Sequence, residues 1–291
     1  MALRSIVCLH NGFDFEESSL ATAVALAKQN GADLRIVHAV MITQPYAGAY
    51  AEAAIVGTGW QEAVNAQMEQ QERAARESAA AICQKHGLPL SDLADAPLPR
   101  ATFQVIEAPT AKPLARMLGV SDVIVVGAAK GSGHVVDDGV IDLALFSTAR
   151  PLLIVRPQPD GAPAPILGAP AGLAWSGSPE AVHATVHWRD VYAGASKVHV
   201  FVATGGGEAS SPEDQALVLG YLKAHGANAE LETVERDGKS AAHAILERAR
   251  AAGCAYLVMG AYGHSAFREM LFGGFSETML EEAEMPLLLC H

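Results

Sequence analysis

The chain has 291 residues, half of them hydrophobic, and a formal net charge of −12, a length that fits two domains at roughly 150 residues each. The acidic balance excludes the clustered Lys and Arg of a nucleic-acid footprint. No apolar run reaches the ~20 residues of a membrane span, and the start, Met1-Ala-Leu-Arg-Ser-Ile6, lacks the basic-then-apolar pattern of a signal peptide, so a cytoplasmic setting without membrane or nucleic-acid partners is expected.

The first predicted element is Arg4-Ser-Ile-Val-Cys-Leu-His10, a continuous apolar run of the kind found in a buried parallel strand. Asn11-Gly12 is a turn, and a helix over 16–29 follows, with Glu16 and Glu17 at its positive end and Gly31 as its left-handed cap. Strand 33–40 leads to a long Ala/Gln/Glu-rich helix over 60–86, ended by Gly87. That helix is either an exposed arm for a partner or an amphipathic cover on a sheet, the cover being preferred. Strand 101–107, helix 110–118 and strand 122–127 come next, and Leu152-Leu-Ile-Val155 closes the half.

Pro157-Gln-Pro-Asp-Gly-Ala-Pro-Ala-Pro165 is a stiff, polar linker. Beyond it the pattern restarts: strand 171–176, helix 179–193 with Ser178 as its N-cap, strand 197–203, helix 212–225, strand 228–236, helix 240–252, strand 255–260 and closing strand 286–290. The two halves match in order and spacing. Ser121-Asp-Val-Ile-Val-Val-Gly127 corresponds to Cys254-Ala-Tyr-Leu-Val-Met-Gly260, and Pro151-Leu-Leu-Ile-Val155 to Pro286-Leu-Leu-Leu-Cys290. Alternating strands and helices imply parallel sheets with right-handed crossovers. The fold class is therefore α/β, two tandem doubly wound domains over 1–157 and 166–291, each with a mainly parallel five-stranded sheet. The closing strands are too apolar for exposed edges. Either each is buried under its own helices or, the favoured solution, the two edges meet and the halves form a pseudo-dimer.

In open α/β sheets, ligands bind beyond the carboxyl ends of the strands at the switch point. The segment there in the second half is Gly260-Ala-Tyr-Gly263, then nine residues, then Gly273-Gly274-Phe-Ser276-Glu-Thr278. Glycines let the backbone approach an anion. A helix opening near Ser276 adds free N–H groups, Ser276 and Thr278 add hydroxyls, and Arg268 adds charge. The same glycines also fit tight turns and close helix–sheet contact. The first half departs from this pattern: Lys130 stands where the second glycine is expected and Asp137-Asp138 follow, so that copy is read as non-binding.

Other chemistry finds little footing. There is no G-x-x-x-x-G-K-[S/T] and no G-x-S-x-G, and Gly205-Gly206-Gly207 lacks dinucleotide spacing. His183 and His187 share a helix face but lack the intervening glutamate of H-E-x-x-H, so a zinc site is not expected. His10 and His264 fall near the crevice without an identified catalytic partner. Cys8, Cys83, Cys254 and Cys290 are widely spaced and are read as reduced, with Cys8, Cys254 and Cys290 in or beside strand runs.

On the repeated strand order, the G-x-x-G-x9-G spacing, the closing Pro-plus-apolar strands and the opening strand–turn–helix, the sequence resembles the universal stress protein family in its tandem form. That resemblance implies the adenine nucleotide alpha hydrolase-like fold, a role in stress response and, for members carrying G-x-x-G-x9-G-[S/T], ATP binding. Gly260, Gly263 and Gly273 match that pattern, Gly274 replaces its Ser or Thr, and Ser276 matches a further hydroxyl position. Ser176 and Asn11 stand where the family usually has an Asp after strand one. Two readings follow. One is a non-enzymatic stress-response regulator or protective factor that works through contacts with a protein partner, with possible homodimerisation. The other is a switch that binds ATP, or another anion, through Gly260, Gly263, Gly273, Gly274, Ser276 and Ser176, with slow hydrolysis as a possible addition.

Overall fold

Ten strands form one sheet in the order β3-β2-β1-β4-β5-β10-β9-β6-β7-β8. The computed structural model describes residues 3–41, 59–93, 95–108, 111–128, 141–205, 210–262 and 274–291. The first-half strands are β1 (Ser5–Leu9), β2 (Asp33–Met41), β3 (Arg100–Ala108), β4 (Val123–Gly127) and β5 (Leu152–Val155). Those of the second half are β6 (Ala171–Ala174), β7 (Val198–Thr204), β8 (Ala229–Glu235), β9 (Tyr256–Gly260) and β10 (Leu287–Cys290). Read outward from the centre, both halves have the same order, and every neighbouring pair within a half is parallel.

The halves join where β5 meets β10, the one antiparallel pair, with Leu152 opposite Leu289, Leu153 opposite Leu288 and Ile154 opposite Leu287. None of these six side chains is more than 1% exposed. Burying an aliphatic side chain of this size is worth roughly 2 kcal/mol. Six such residues left on open edges would forfeit on the order of 10 kcal/mol, which explains why edges this apolar are paired.

The helices are α1 (Glu17–Asn30), α2 (Gly59–Lys85), α3 (Ala111–Gly119), α4 (Pro179–His187), α5 (Arg189–Gly194), α6 (Pro212–Ala224), α7 (Ala241–Ala251) and α8 (Gly274–Glu282), with a π-helical turn at Leu143–Ser147. Alternate strand residues feed two cores. Ile6 and Cys8 face α1 and α2, whereas Val7 and Leu9 join the core that contains Leu114 and Leu118 of α3. Gly31 ends α1 at φ +58°, its N–H bonded to the Ala27 carbonyl, as the sequence predicts. Ser178 caps α4 by accepting from Ala181 N–H at 3.3 Å. All four cysteines are buried and free.

Three expectations change. The helix predicted over 179–193 divides into α4 and α5 at Trp188, which leaves helical geometry at φ −92°, ψ 11°. Trp188 is 2% exposed, so fixing its indole in the core decides where the chain bends. The proline-rich stretch after β5 is also more than a linker. Gln158 N–H bonds Ser18 Oγ and Ala164 N–H bonds Thr22 Oγ1, both at 2.8 Å, and Ala164 and Ile166 are buried. The segment is thus strapped to α1. Lastly, α2 is both arm and cover: its described side chains between 62 and 74 are mostly exposed, whereas Ala75, Ala79, Ile82 and Cys83 are buried.

The residues just after the two central strands complete the seam. Arg156, 6% exposed, donates from Nε to the Ala283 carbonyl at 3.0 Å, from Nη2 to the Leu280 carbonyl and from Nη1 to the Ala128 carbonyl at 3.4 Å. Its guanidinium thus closes the carboxyl end of α8 in the other half, where carbonyls lack helical partners. His291 takes the equivalent place after β10 and contacts the Ala261 carbonyl through Nδ1 at 3.0 Å.

Candidate functional site

The strand order reverses direction between β1 and β4 in the first half and between β6 and β9 in the second. Crevices beyond these carboxyl ends are where open α/β sheets bind ligands. The chain thus presents two equivalent positions, and it fills them differently.

In the second half the crevice floor is the end of β9. A Cβ on Gly260 would lie 2.5 Å from Ala181 N and 2.6 Å from Glu180 C, so the first turn of α4 rests directly on this residue. Gly260 therefore has a packing reason to be glycine. Gly127 is its first-half counterpart: a Cβ there would lie 3.0 Å from Glu16 Cα and from Ser19 Oγ. Beyond Gly260, Tyr262 has a left-handed backbone at φ +58°. Its N–H donates to Ser276 Oγ at 3.2 Å. Ser276, in the first turn of α8, is 5% exposed, and accepting from Tyr262 leaves its hydroxyl proton for another acceptor.

Of the other predicted site residues, Gly274 opens α8, is exposed and has open space where a Cβ would stand. Ser176 is exposed after β6, and its Oγ accepts from Ser178 N–H at 3.3 Å. Gly177 follows at φ +80°. The structure thus places Gly260 and Ser276 around the same turn and Gly274 at the start of the adjoining helix. Gly263, Gly273, His264 and Arg268 lie outside the described residues, as do Lys130 and Asp137-Asp138 of the first half. The Thr278 hydroxyl donates to the Gly274 carbonyl at 2.6 Å within α8. Among the described residues no group of three His, Cys, Asp or Glu could hold a metal ion, and His183 and His187 are exposed.

The first-half crevice holds titratable side chains instead. Glu16, 5% exposed, accepts through Oε2 from the N–H groups of Asn11 at 2.7 Å and Phe13 at 3.1 Å. Its carboxyl thus occupies the backbone donors of the turn after β1. Burial raises its pKa from 4.5 to about 7, opposed by the hydrogen bonds from Asn11, Phe13 and Gly12. His10, fully buried, places Nε2 3.1 Å from Ser78 Oγ on α2 and Nδ1 3.6 Å from Glu16 Oε2. Burial, with a smaller contribution from His38, lowers its pKa from 6.5 to about 4. His10 is therefore neutral at pH 7, and its contact with Glu16 is not an ion pair there. Asn11 Oδ1 accepts from Ala39 N–H at 3.2 Å and ties the turn to the end of β2.

The sequence points to His10 and Asn11 but not to Glu16 as a crevice residue. A glutamate entering a helix has an adequate local explanation in the helix dipole. The usable signal is the Asn-Gly turn, whose free N–H groups need an acceptor within a few residues.

Residues 173–291 match the family model described as the universal stress protein family. No curated protein sequence matches the chain. Among solved structures, the chain is similar to a universal stress protein from Archaeoglobus fulgidus DSM 4304, with 12% identity and a TM-score of 0.68 over 98% of this chain and 96% of that one. It is also similar to a protein of Pseudomonas aeruginosa UCBPP-PA14, provisionally named a universal stress protein, with 15% identity and a TM-score of 0.57 over 99% and 93% of the two chains. A functionally unknown protein from Pseudomonas aeruginosa PAO1 aligns with 13% identity and a TM-score of 0.56 over 99% and 92%. At such identities these likenesses establish the fold. Residues 173–291 thus resemble the universal stress protein family, and the chain shares the fold of the universal stress protein structures along its full length.

Proposed function

We propose that this protein is a non-enzymatic universal stress-type regulator whose second half, over 166–291, binds a phosphate-bearing ligand, with ATP as the first candidate, while its first half, over 1–157, is a closed structural copy. The observation that carries this reading is the contrast between the two crevices. In the first, a buried carboxyl already occupies the N–H groups of Asn11 and Phe13, so an anion there meets a filled donor set. In the second, the turn after β6 is held by the neutral hydroxyl of Ser176. Ser276 Oγ faces the turn after β9 by accepting from Tyr262 N–H, and Gly274, at the amino end of α8, has no described atom within 4 Å of where its Cβ would stand. A helix start with free N–H groups attracts phosphate. Gly263 and Gly273 enter this reading through the sequence pattern.

The test is calorimetric titration of the full chain with Mg-ATP, beside Gly263→Val and Ser276→Ala. Micromolar binding that weakens at least tenfold in both variants is expected. No heat and no thermal shift at millimolar ATP sinks the nucleotide reading. A second reading, regulation by protein contacts alone in the cytoplasm, is favoured by the amino-terminal half of α2, whose described side chains are mostly exposed. A wild-type protein silent toward ATP decides for that alternative.

A further inference from the structure

The first half touches the second-half crevice through Phe146. This residue lies in the π-helical turn Leu143–Ser147, yet its ring centroid is 5.1 Å from that of Tyr262, tilted at 56°, and 4.7 Å from the His291 ring, edge-on at 73°. The Phe146 side belongs to the helical layer beside β5, while Tyr262 and His291 follow β9 and β10. The contact therefore crosses the seam. Phe146 is 47% exposed, so it does little for the core of its own half.

Tyr262 is the last described residue before Gly263, and its backbone is the unusual part of the crevice. A left-handed φ of +58° is disfavoured for an aromatic residue and persists only where the surroundings over-determine it. Contacts on both sides of the residue do so. Ala261 N–H donates to the Cys290 carbonyl at 2.8 Å, and the Ala261 carbonyl meets His291 Nδ1 at 3.0 Å, which fixes the preceding residue from the β10 side. Tyr262 N–H reaches Ser276 Oγ. The ring of Tyr262 is covered by Phe146. Ala261 and Ser276 belong to the same half as Tyr262, whereas Phe146 comes from the other.

We propose that Phe146 is a positioning residue for the second-half phosphate site, acting across the seam by holding Tyr262 in the backbone conformation that presents its N–H to Ser276. The phosphate part of this statement rests on the function proposed above, and the positioning part does not. The arrangement gives the non-binding half a task in the other half's site: without its π-helical turn, Tyr262 loses the ring contact that comes from across the seam.

The experiment combines two readouts on the full chain, for wild type, Phe146→Ala and Phe146→Tyr. Amide hydrogen exchange at Tyr262, in protein free of nucleotide, is expected to speed up about fivefold in Phe146→Ala and to return to the wild-type rate in Phe146→Tyr, which keeps the ring. Mg-ATP affinity is expected to fall by a similar factor in Phe146→Ala only, while the thermal midpoint stays near that of wild type because the ring is half exposed. Equal exchange at Tyr262 in wild type and Phe146→Ala overturns the proposal, whatever ATP does. Faster exchange with undiminished ATP affinity overturns the role at the phosphate site. A wild type that binds no ATP overturns the ligand reading, and the exchange rates then decide the positioning role alone. If Phe146→Ala fails to fold, Phe146→Leu serves the same comparison.

Discussion

The turns after β1 and β6 are two versions of the same junction, each leading from a buried strand through a left-handed glycine into a helix. After β1, Gly12 stands at φ +87° and Glu16 turns back to take the N–H groups of the turn. After β6, Gly177 stands at φ +80° and two serine hydroxyls take the equivalent roles, Ser176 for Ser178 N–H and Ser178 for Ala181 N–H. One junction is sealed with a buried titratable group; the other is bound by neutral oxygens. A buried carboxyl that holds the donors of the turn serves to connect strand and helix, but it competes with any anion brought to the same donors. The difference thus shows how a repeated fold can keep its architecture in both copies while sealing the equivalent turns with different chemistry.

The largest expected effect tests the shared part of the two junctions. Gly260→Ala places a Cβ 2.5 Å from Ala181 N and 2.8 Å from Glu180 Cβ, contacts that backbone cannot yield without moving α4. Overpacking of this kind costs about 3 kcal/mol, to be read from urea denaturation. Gly127→Ala meets its neighbours at 3.0 Å or more, one of them the movable Ser19 hydroxyl, and is expected to cost about 1 kcal/mol. Equal costs at the two positions would show that the helices do not approach their strands as differently as the distances indicate.

The next effect separates the junctions by pH. Glu16 binds its proton more tightly in the folded state, so its contribution is fully present below pH 4.5 and is lost as pH rises to about 7. His10 binds its proton less tightly when folded, so stability falls as pH drops from 6.5 toward about 4. Between these ordinary values the two slopes oppose each other, each at about 1.4 kcal/mol per pH unit. The contributions of these two groups therefore nearly cancel in this window, while the lowered values of His38, His86 and His187 add a rise of stability with pH that wild type and Glu16→Gln share. Glu16→Gln removes one slope, and its stability is expected to climb by about 2–3 kcal/mol more than that of wild type from pH 4.5 to 6.5. Ser178→Ala in the other junction costs about 1 kcal/mol at every pH. Urea midpoints across the window check both, and a Glu16→Gln profile parallel to that of wild type would show that His10 and Glu16 do not compensate.

Much of this architecture is legible in the amino-acid sequence because it rests on local patterns. Apolar runs of four or five residues mark the central strands, Gly31 marks the end of α1, and the apolar character of Leu152–Val155 and Leu287–Cys290 shows that two edges need covering. What escapes depends on tertiary contact. The break at Trp188 follows from burial of one indole, which the helical period does not encode. The left-handed Tyr262 is held by partners 116 and 14 positions away (Phe146 and Ser276), and nothing in the local sequence favours that conformation. Gly260 shows a subtler gap: the same glycine satisfies a phosphate motif and a helix contact, and only distances separate the two reasons.

The smallest expected effect asks whether the open junction is open for a ligand. The family pattern that the sequence resembles has Ser or Thr where this chain has Gly274. The position is exposed, begins α8 and has open space around its missing Cβ, so Gly274→Ser is expected to change stability by no more than about 0.5 kcal/mol. If phosphate rests at this helix start, the added hydroxyl supplies one further hydrogen bond and strengthens Mg-ATP binding about threefold to tenfold by titration calorimetry. An unchanged affinity in Gly274→Ser, together with an unchanged affinity in Ser276→Ala, would move the phosphate away from α8 and remove the functional half of the contrast. The two junctions would then differ only in how they are sealed.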